Sequence, residues 1–256
     1  MKNQINDILY LLLFTTQLSG QINTEAMRAE YNSNGFRNQF NLDFGYEKAN
    51  SEVFDFATEY RLDYIKQDNF HSFMVINLEN GYEKENKSSK NIITNKGFVH
   101  LRTTKDLFKN YQLELFTQYE FNDFLLLNDR YLFGSGLRFG LQKYELKNTY
   151  IGIGLMHEKE TYNMGTENKK SQFRLTNYIK NNIDLSSNID FKNIAYCQVA
   201  TADFNDYRIL YDGRLNFHLN VFFAFTIELN YRYDNDPHSD LGNSYIQISN
   251  GISYNF

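Results

Sequence analysis

Residues 223–234 read FAFTIELNYRYD, and apolar side chains alternate with small, polar or charged ones along the whole stretch. Successive side chains of a β-strand point to opposite faces, so the alternation predicts a strand with one apolar and one polar face. Residues 53–64, VFDFATEYRLDY, repeat the pattern. Both stretches exceed the ~5–6 residues of an ordinary strand and match the ~10 residues that a tilted strand needs to cross a hydrocarbon layer. Their length favours membrane-crossing strands.

The same alternation recurs over most of the chain and predicts about twelve strands. Their predicted ranges are 36–46, 53–64, 70–81, 96–104, 111–121, 130–140, 148–158, 171–180, 183–197, 206–218, 222–233 and 245–256. Long polar connections at 82–95, 159–170 and 234–244 follow odd-numbered strands, and shorter ones follow even-numbered strands. Short periplasmic turns and longer outer loops produce such sorting. The sequence therefore predicts an all-β fold, an antiparallel up-and-down transmembrane β-barrel with both termini in the periplasm.

The two ends of the chain indicate export to the outer membrane of a Gram-negative bacterium. Lys2 precedes the apolar residues 8–14 and a short polar stretch, which is the layout of a secretory signal peptide. We therefore predict a signal peptide at 1–20, an N-terminal periplasmic segment at 21–34 and the barrel domain at 35–256. Phe256 ends the last predicted strand on its apolar face, and we expect the outer-membrane assembly machinery to recognise it.

Composition excludes several classes of protein. The formal net charge is -5 and no block of Lys and Arg occurs, which argues against nucleic-acid binding. The single cysteine excludes an intrachain disulfide. A mean hydropathy of -0.57 excludes a helical membrane protein, whereas a barrel needs only every second residue to be apolar. No metal-ligand spacing or phosphate-binding loop occurs, so no cofactor is predicted; Asp234, Asp236 and Asp240 are interpreted as a solvated acidic loop in preference to a Ca²⁺ site.

The apolar faces are predicted to contact outer-membrane lipids. The apolar face of residues 111–121 carries no charge, and a Lys or Arg near the midplane of a bilayer costs roughly 2–4 kcal/mol. The alternative is a secreted soluble β-domain that buries these aromatic residues. Gly134, Gly136, Gly152 and Gly154 lie on the polar face, where we expect them to leave space in the lumen or to let the wall curve.

Five segments of the chain resemble a known family. They are GFVHLR at 97–102, ELFTQYEFN at 114–122, RYLFGSGLR at 130–138, RLTNY at 174–178 and YRYDNDP at 231–237. They are similar to the salt-induced outer-membrane protein family (YdiY-like), most of whose members have no assigned biochemistry. The resemblance implies an outer-membrane location and supplies no catalytic residue.

The polar faces define the candidate site, a set of charged and polar side chains predicted to point into the lumen. Its members are His100, Arg102, Glu114, Gln118, Glu120, Arg130, Arg138, Glu158, Arg174, Arg208, Arg214, Glu228 and Arg232. One interpretation is that they pair across strands and plug the centre, since an unpaired buried charge is costly. The other is a narrow channel whose charges sort small solutes. We expect a structural or weakly conducting barrel, with a passive porin for small charged solutes as the alternative.

A lipid-modifying enzyme of the envelope is a further alternative, because Ser135, His157 and Asn177 share the lipid-facing side of adjacent predicted strands. The predicted topology places Ser135 about four residues deeper than His157, and at ~3.3 Å per residue that separation exceeds ten ångströms. A nucleophile and its base must approach to ~3 Å. We therefore expect the protein not to be an enzyme.

Overall fold

The computed structural model describes residues 34–49, 51–66, 70–85, 89–108, 110–141, 149–164, 166–220, 223–237 and 242–254. They form twelve β-strands: β1 (Gly35–Lys48), β2 (Ser51–Lys66), β3 (Phe70–Glu85), β4 (Asn91–Phe108), β5 (Tyr111–Asn122), β6 (Leu127–Leu141), β7 (Thr149–Met164), β8 (Thr166–Ser186), β9 (Ile189–Ala200), β10 (Tyr207–His218), β11 (Phe223–Asp234) and β12 (Ser244–Tyr254). A short 3₁₀ turn, Asp123–Leu125, joins β5 to β6. Within these ranges no helix has the length and apolar character to cross a membrane.

Each strand pairs antiparallel with the next one in the chain, in the order β1 to β12. The predicted all-β, antiparallel up-and-down fold is thereby confirmed. Among the described residues, no hydrogen-bonded pairing joins β1 to β12. Because the number of strands is even, β1 begins and β12 ends at the same end of the sheet, here called the terminal end; the opposite end is called the distal end.

Most strand boundaries lie within a few residues of the prediction, and the largest difference is at β7 and β8. Residues 159–170, predicted as a loop, continue both strands, so that a single residue separates them. Residues 183–186 belong to β8 and not to β9, since the turn lies at 187–188. The predicted long connection at 82–95 shrinks to 86–90. The predicted signal peptide and Phe256 lie outside the described residues.

The sheet exposes its apolar side chains and buries its polar ones, the reverse of a soluble domain. On β5, Leu115 is 45% exposed and its neighbour Glu114 only 3%; on β10, Ile209 is 37% exposed and Arg208 only 1%. Cys197 is exposed on the same outward face, where the register pairs it with Asn177 and Ile209. A soluble sandwich buries its apolar faces against each other, so this alternative is wrong.

The polar face is concave. The Tyr178 hydroxyl on β8 donates a hydrogen bond to Glu114 on β5 over 2.8 Å, and Arg208 on β10 lies 3.0 Å from Glu160 on β7. Each contact joins strands three places apart, which in a flat sheet would be separated by roughly 14 Å. The sheet must therefore curl strongly around its polar side chains.

Candidate functional site: the concave charge network

The network centres on Glu158 of β7, whose carboxylate contacts three guanidinium groups. Arg130 of β6 lies 2.5 Å away, Arg174 of β8 2.9 Å and Arg208 of β10 3.0 Å. All four side chains are buried. Four strands thus converge on one carboxylate, and every charge in the group has a partner.

Four more carboxylates surround the three arginines. Glu160 lies 3.2 Å from Arg130 and 3.0 Å from Arg208, and Glu120 lies 3.6 Å from Arg130. Asp206 lies 2.8 Å from Arg174, and Asp234 lies 2.8 Å from Arg208. Each arginine therefore contacts at least two carboxylates, which offsets the cost of removing it from water. These eight residues are called the charge network.

A second polar group lies on the concave face nearer the terminal end. Arg102 is 3.6 Å from Glu114 and 5.1 Å from the Phe116 ring centroid. Arg138 donates to Gln112 over 2.7 Å and lies 3.6 Å above the Tyr150 ring. These cations are held by aromatic faces as well as by polar side chains.

The lumen-facing glycines do not leave open space, so that part of the prediction is wrong. A Cβ added at Gly152 would overlap the Tyr178 ring, and one added at Gly134 would overlap the Phe116 ring. The missing side chains let these rings lie flat against the neighbouring strands. The rings then fill the volume that the glycines vacate.

Burial divides the concave face into two parts. From β4 to β10 the polar side chains of the network and of the second group are almost fully buried, and we call this part the packed wall. Arg214, at 57% exposed, pairs with the less exposed Glu228 over 2.7 Å. On β1, Gln39, Asn41 and Asp43 are all exposed. We call the concave face of β1, together with the Arg214–Glu228 pair, the exposed wall.

The structure brings together only some of the thirteen predicted site residues. Glu120, Arg130, Glu158, Arg174 and Arg208 meet in the charge network, and Gln118 joins it through a 2.6 Å hydrogen bond to Glu120. Arg102, Glu114 and Arg138 form the second group, and the buried His100 packs 5.8 Å from the ring of Phe73. Arg214 and Glu228 lie on the exposed wall, whereas Arg232 pairs with Asp212 over 2.6 Å.

Sequence reasoning missed Glu160, Lys170 and Asp206. Glu160 and Lys170 share the concave face with Glu158 and Arg174, at the spacing of two residues that the strands require. That signal was available, but 159–170 was predicted as a loop. Asp206 lies in the connection before β10 and carries no periodic signal.

A cap of hydrogen bonds covers the network at the distal end. Lys170 donates to Asp206 over 2.7 Å and to Asp236 over 2.9 Å. Burial raises the pKa of Asp206, but hydrogen bonds from Lys170 and Arg174 outweigh it and lower the pKa from 3.8 to about 2. Asp234 and Asp236, considered as Ca²⁺ ligands, thus contact protein cations, and the described residues contain no cluster suited to a metal.

The three residues considered for lipid hydrolysis do not meet. Ser135 pairs with Leu155, so His157 is displaced from it by two residues and not by the predicted four. The His157 Nε2 atom lies 3.1 Å from the Ser171 hydroxyl instead. Asn177 pairs with Ile153, further along the hairpin.

Residues 19–256 match the family described as "Protein of unknown function, DUF481". The chain belongs to this family. The match agrees with the resemblance to the YdiY-like proteins and assigns no biochemical role. No curated protein matches the chain.

Two solved structures resemble the chain at low sequence identity. The NanC porin in a rhombohedral crystal form is 13% identical, with 85% of this chain and 99% of the porin covered and a TM-score of 0.47. The translocator domain of the autotransporter NalP from Neisseria meningitidis is 10% identical, with coverages of 89% and 90% and a TM-score of 0.47. Neither similarity transfers a function to this chain.

Proposed function

We propose that the protein is a β-barrel of the Gram-negative outer membrane, structural along its packed wall and weakly conducting along its exposed wall. The observation that carries the proposal is the burial contrast on one concave face. Arg208 on β10 is 1% exposed, whereas Gln39, Asn41 and Asp43 on the concave face of β1 are all exposed. Paired charges that fill one side of the lumen leave no path for ions there, whereas a water-exposed polar surface can line such a path.

Lipid is the environment that suits the outward face. Aromatic and aliphatic side chains such as Phe133, Ile153 and Phe173 are exposed there on neighbouring strands. A continuous apolar surface of this extent marks contact with a membrane or a partner. Lengths of 11 to 21 residues per strand also suit a tilted crossing.

The proposed orientation rests on the expectation that both chain ends lie in the periplasm. With the termini in the periplasm, the terminal end of the sheet faces inward and the distal end faces the medium. We expect the assembly machinery to act on the terminal end. The connection 201–206 and the cap formed by Lys170 would lie at the outer surface.

Planar bilayers test conduction along the exposed wall. The purified protein should give a small, steady current that is proportional to voltage. Asn41→Trp places a large ring on the exposed wall and should reduce the current, whereas the control Phe40→Trp, on the outward face of the same strand, should not. A silent bilayer at every voltage would leave a purely structural wall, and an equal effect of both variants would place the current elsewhere.

Catalysis is not part of the proposal. The His157–Ser171 contact on the outward face has no carboxylate among its described hydrogen bonds to orient the imidazole. We expect the purified protein to leave phospholipid and lipopolysaccharide unchanged. Release of fatty acid by the wild type, lost in Ser171→Ala, would overturn this expectation.

A further inference from the structure

We propose that the path along the exposed wall conducts small cations in preference to anions. The inference rests on the proposed function, which supplies the path, and it adds the sign of the permeant ion. The residues that carry it are Asp43 and Glu47 on the concave face of β1 and Asp55 on that of β2. We call these three side chains the carboxylate row.

Gly45 brings the three carboxylates into one line. It lies between Asp43 and Glu47 on the concave face of β1 and pairs with Asp55 of β2. A Cβ added at Gly45 would overlap the Asp55 carboxylate, so this side chain extends across β1 into the space that the glycine leaves. Positions on one face recur every two residues, or about 7 Å along a strand. The three carboxylates therefore follow one another at about that spacing.

Within the described part of the chain, no cation neutralises the row. Asp43 and Glu47 are exposed, Asp55 is half-buried, and none of the three forms an ion pair with a described residue. The neighbouring Glu59 adds a fourth carboxylate, which accepts a hydrogen bond from Asn41 over 3.3 Å. Like charges in this arrangement repel one another, and mobile cations from solution relieve that repulsion.

The cations on the concave faces of β1 and β2 lie nearer the terminal end. Arg37 pairs in the register with the buried Asp63, and Arg61 donates to the same carboxylate over 2.6 Å. The described concave positions of these two strands thus hold two guanidinium groups and five carboxylates, those of Asp43, Glu47, Asp55, Glu59 and Asp63. The negative excess lies towards the distal end, the mouth that faces the medium in the proposed orientation.

Cations elsewhere on the concave face do not offset the row. The three arginines of the charge network are at most 2% exposed and contact the five carboxylates of that network. Lys96 of β4 is also buried and lies 2.9 Å from Glu79. Arg214 of β10 and Lys192 of β9 are exposed, but each forms an ion pair. An ion that moves along β1 therefore meets carboxylates that no protein charge has already neutralised.

Fixed charge of one sign decides which ions pass. It raises the local concentration of counter-ions and lowers that of ions of its own sign, and rings of Asp and Glu serve this purpose in cation channels. The ~10 Å Debye length at 0.1 M salt exceeds the spacing of the row, whereas at 1 M the length falls to ~3 Å. We therefore expect selectivity for cations that is marked in dilute salt and weak in concentrated salt.

Planar bilayers that separate two concentrations of KCl measure the selectivity. Near 0.1 M salt the wild type should have a permeability ratio of K⁺ to Cl⁻ above one. The row variant, Asp43→Asn with Glu47→Gln and Asp55→Asn, should have a lower ratio. One carboxylate 4 Å from a monovalent ion in water changes the local ion concentration roughly fivefold, and we expect a fall on the order of that factor. Near 1 M salt the two proteins should differ little.

Glu52→Gln with Asp123→Asn and Asp129→Asn is the matched control. It removes the same number of charges at the distal end, but Glu52 and Asp129 lie on the outward face and Asp123 lies in the turn after β5. Its permeability ratio should equal that of the wild type. Retained mobility of unheated samples in SDS gels verifies that both variants are folded.

Three results would overturn the inference: a ratio of one or less in the wild type, an unchanged ratio in the row variant, or an equal fall in the control. Each of these results requires a measurable current and leaves the proposed function intact. A bilayer that stays silent at every voltage refutes conduction along the exposed wall, and the inference with it.

Discussion

At the scale of single residues, Glu158 is the most consequential side chain of the packed wall. Glu158→Gln removes the charge that three buried guanidinium groups share. Removing one partner of a buried ion pair costs about 3–5 kcal/mol, and we expect a loss of about 3 kcal/mol or more in the free energy of unfolding. Urea titration in lipid vesicles measures it.

The control for this substitution is Glu228→Gln, which acts on the partly exposed pair with Arg214. Exposed pairs contribute about 0–1 kcal/mol, so this variant should unfold near the wild-type midpoint. Similar losses of unfolding free energy in Glu158→Gln and Glu228→Gln would show that burial of the ion pairs in the packed wall does not add to their contribution to stability.

The aromatic packing on the lumen-facing glycines makes a second prediction at this scale. Gly152→Ala forces the Tyr178 ring from its place, and overpacking of this kind costs about 1–3 kcal/mol. Gly251→Ala, where the added Cβ meets no atom within 4 Å, serves as the control. If the two unfolding midpoints coincide, the ring does not pack on the glycine in the folded barrel.

At the scale of elements, β7 and β8 show where the sequence pattern is informative and where it fails. Period two predicts a strand only while the two faces differ in polarity. In residues 159–170 both faces are largely polar, as expected if the outward side chains of this segment lie beyond the hydrocarbon layer of the proposed membrane. The backbone hydrogen bonds continue regardless, so the strands extend beyond the residues whose side chains reveal them.

The connection 201–206 carries a prediction about pH. The pKa of Asp206 is lowered from 3.8 to about 2, so its contribution to stability is complete above pH 3.8 and is lost as the pH falls through about 2. A shift of this size contributes on the order of 2 kcal/mol. Asp206→Asn should therefore flatten the dependence of unfolding free energy on pH between about 4 and 2.

Asp43→Asn is the matched control for that measurement, since Asp43 is exposed on the concave face of β1. We expect it to retain the wild-type slope. An unchanged slope in Asp206→Asn would mean that other carboxylates of the cap account for the acid sensitivity.

At the scale of the whole molecule, a charged substitution on the outward face tests whether lipid or water surrounds that face. Ile153→Arg places a charge in the middle of β7, at a side chain that is 55% exposed. In a bilayer it costs roughly 2–4 kcal/mol near the midplane, and we expect less folded protein in the outer membrane. Gln39→Arg, on the exposed wall, is the control and should assemble normally.

Fractionation and the gel mobility of unheated samples measure assembly of both variants. On a water-exposed surface a substitution such as Ile153→Arg would be nearly neutral. Normal assembly of Ile153→Arg would therefore contradict the membrane location itself.

The charge network shows what the sequence could not supply. Alternation predicts that Glu158 and Arg208 share the concave face, and it predicted both as site residues. Their contact joins β7 to β10, and it depends on how tightly the sheet curls and on the register summed over three pairings. Local periodicity encodes neither quantity. The sequence alone therefore could not decide whether the polar side chains pair and plug the centre or line a channel.

Cys197 is a natural attachment point for a probe of the outward face. It is the one thiol of the chain, it is exposed, and it lies between Asn177 and Ile209 on the outward face. A nitroxide attached there needs no background mutation. If this face contacts lipid, the relaxation of the nitroxide should be accelerated by dissolved oxygen and unaffected by a water-soluble nickel chelate. The native cysteine therefore allows the surroundings of the outward face to be measured directly.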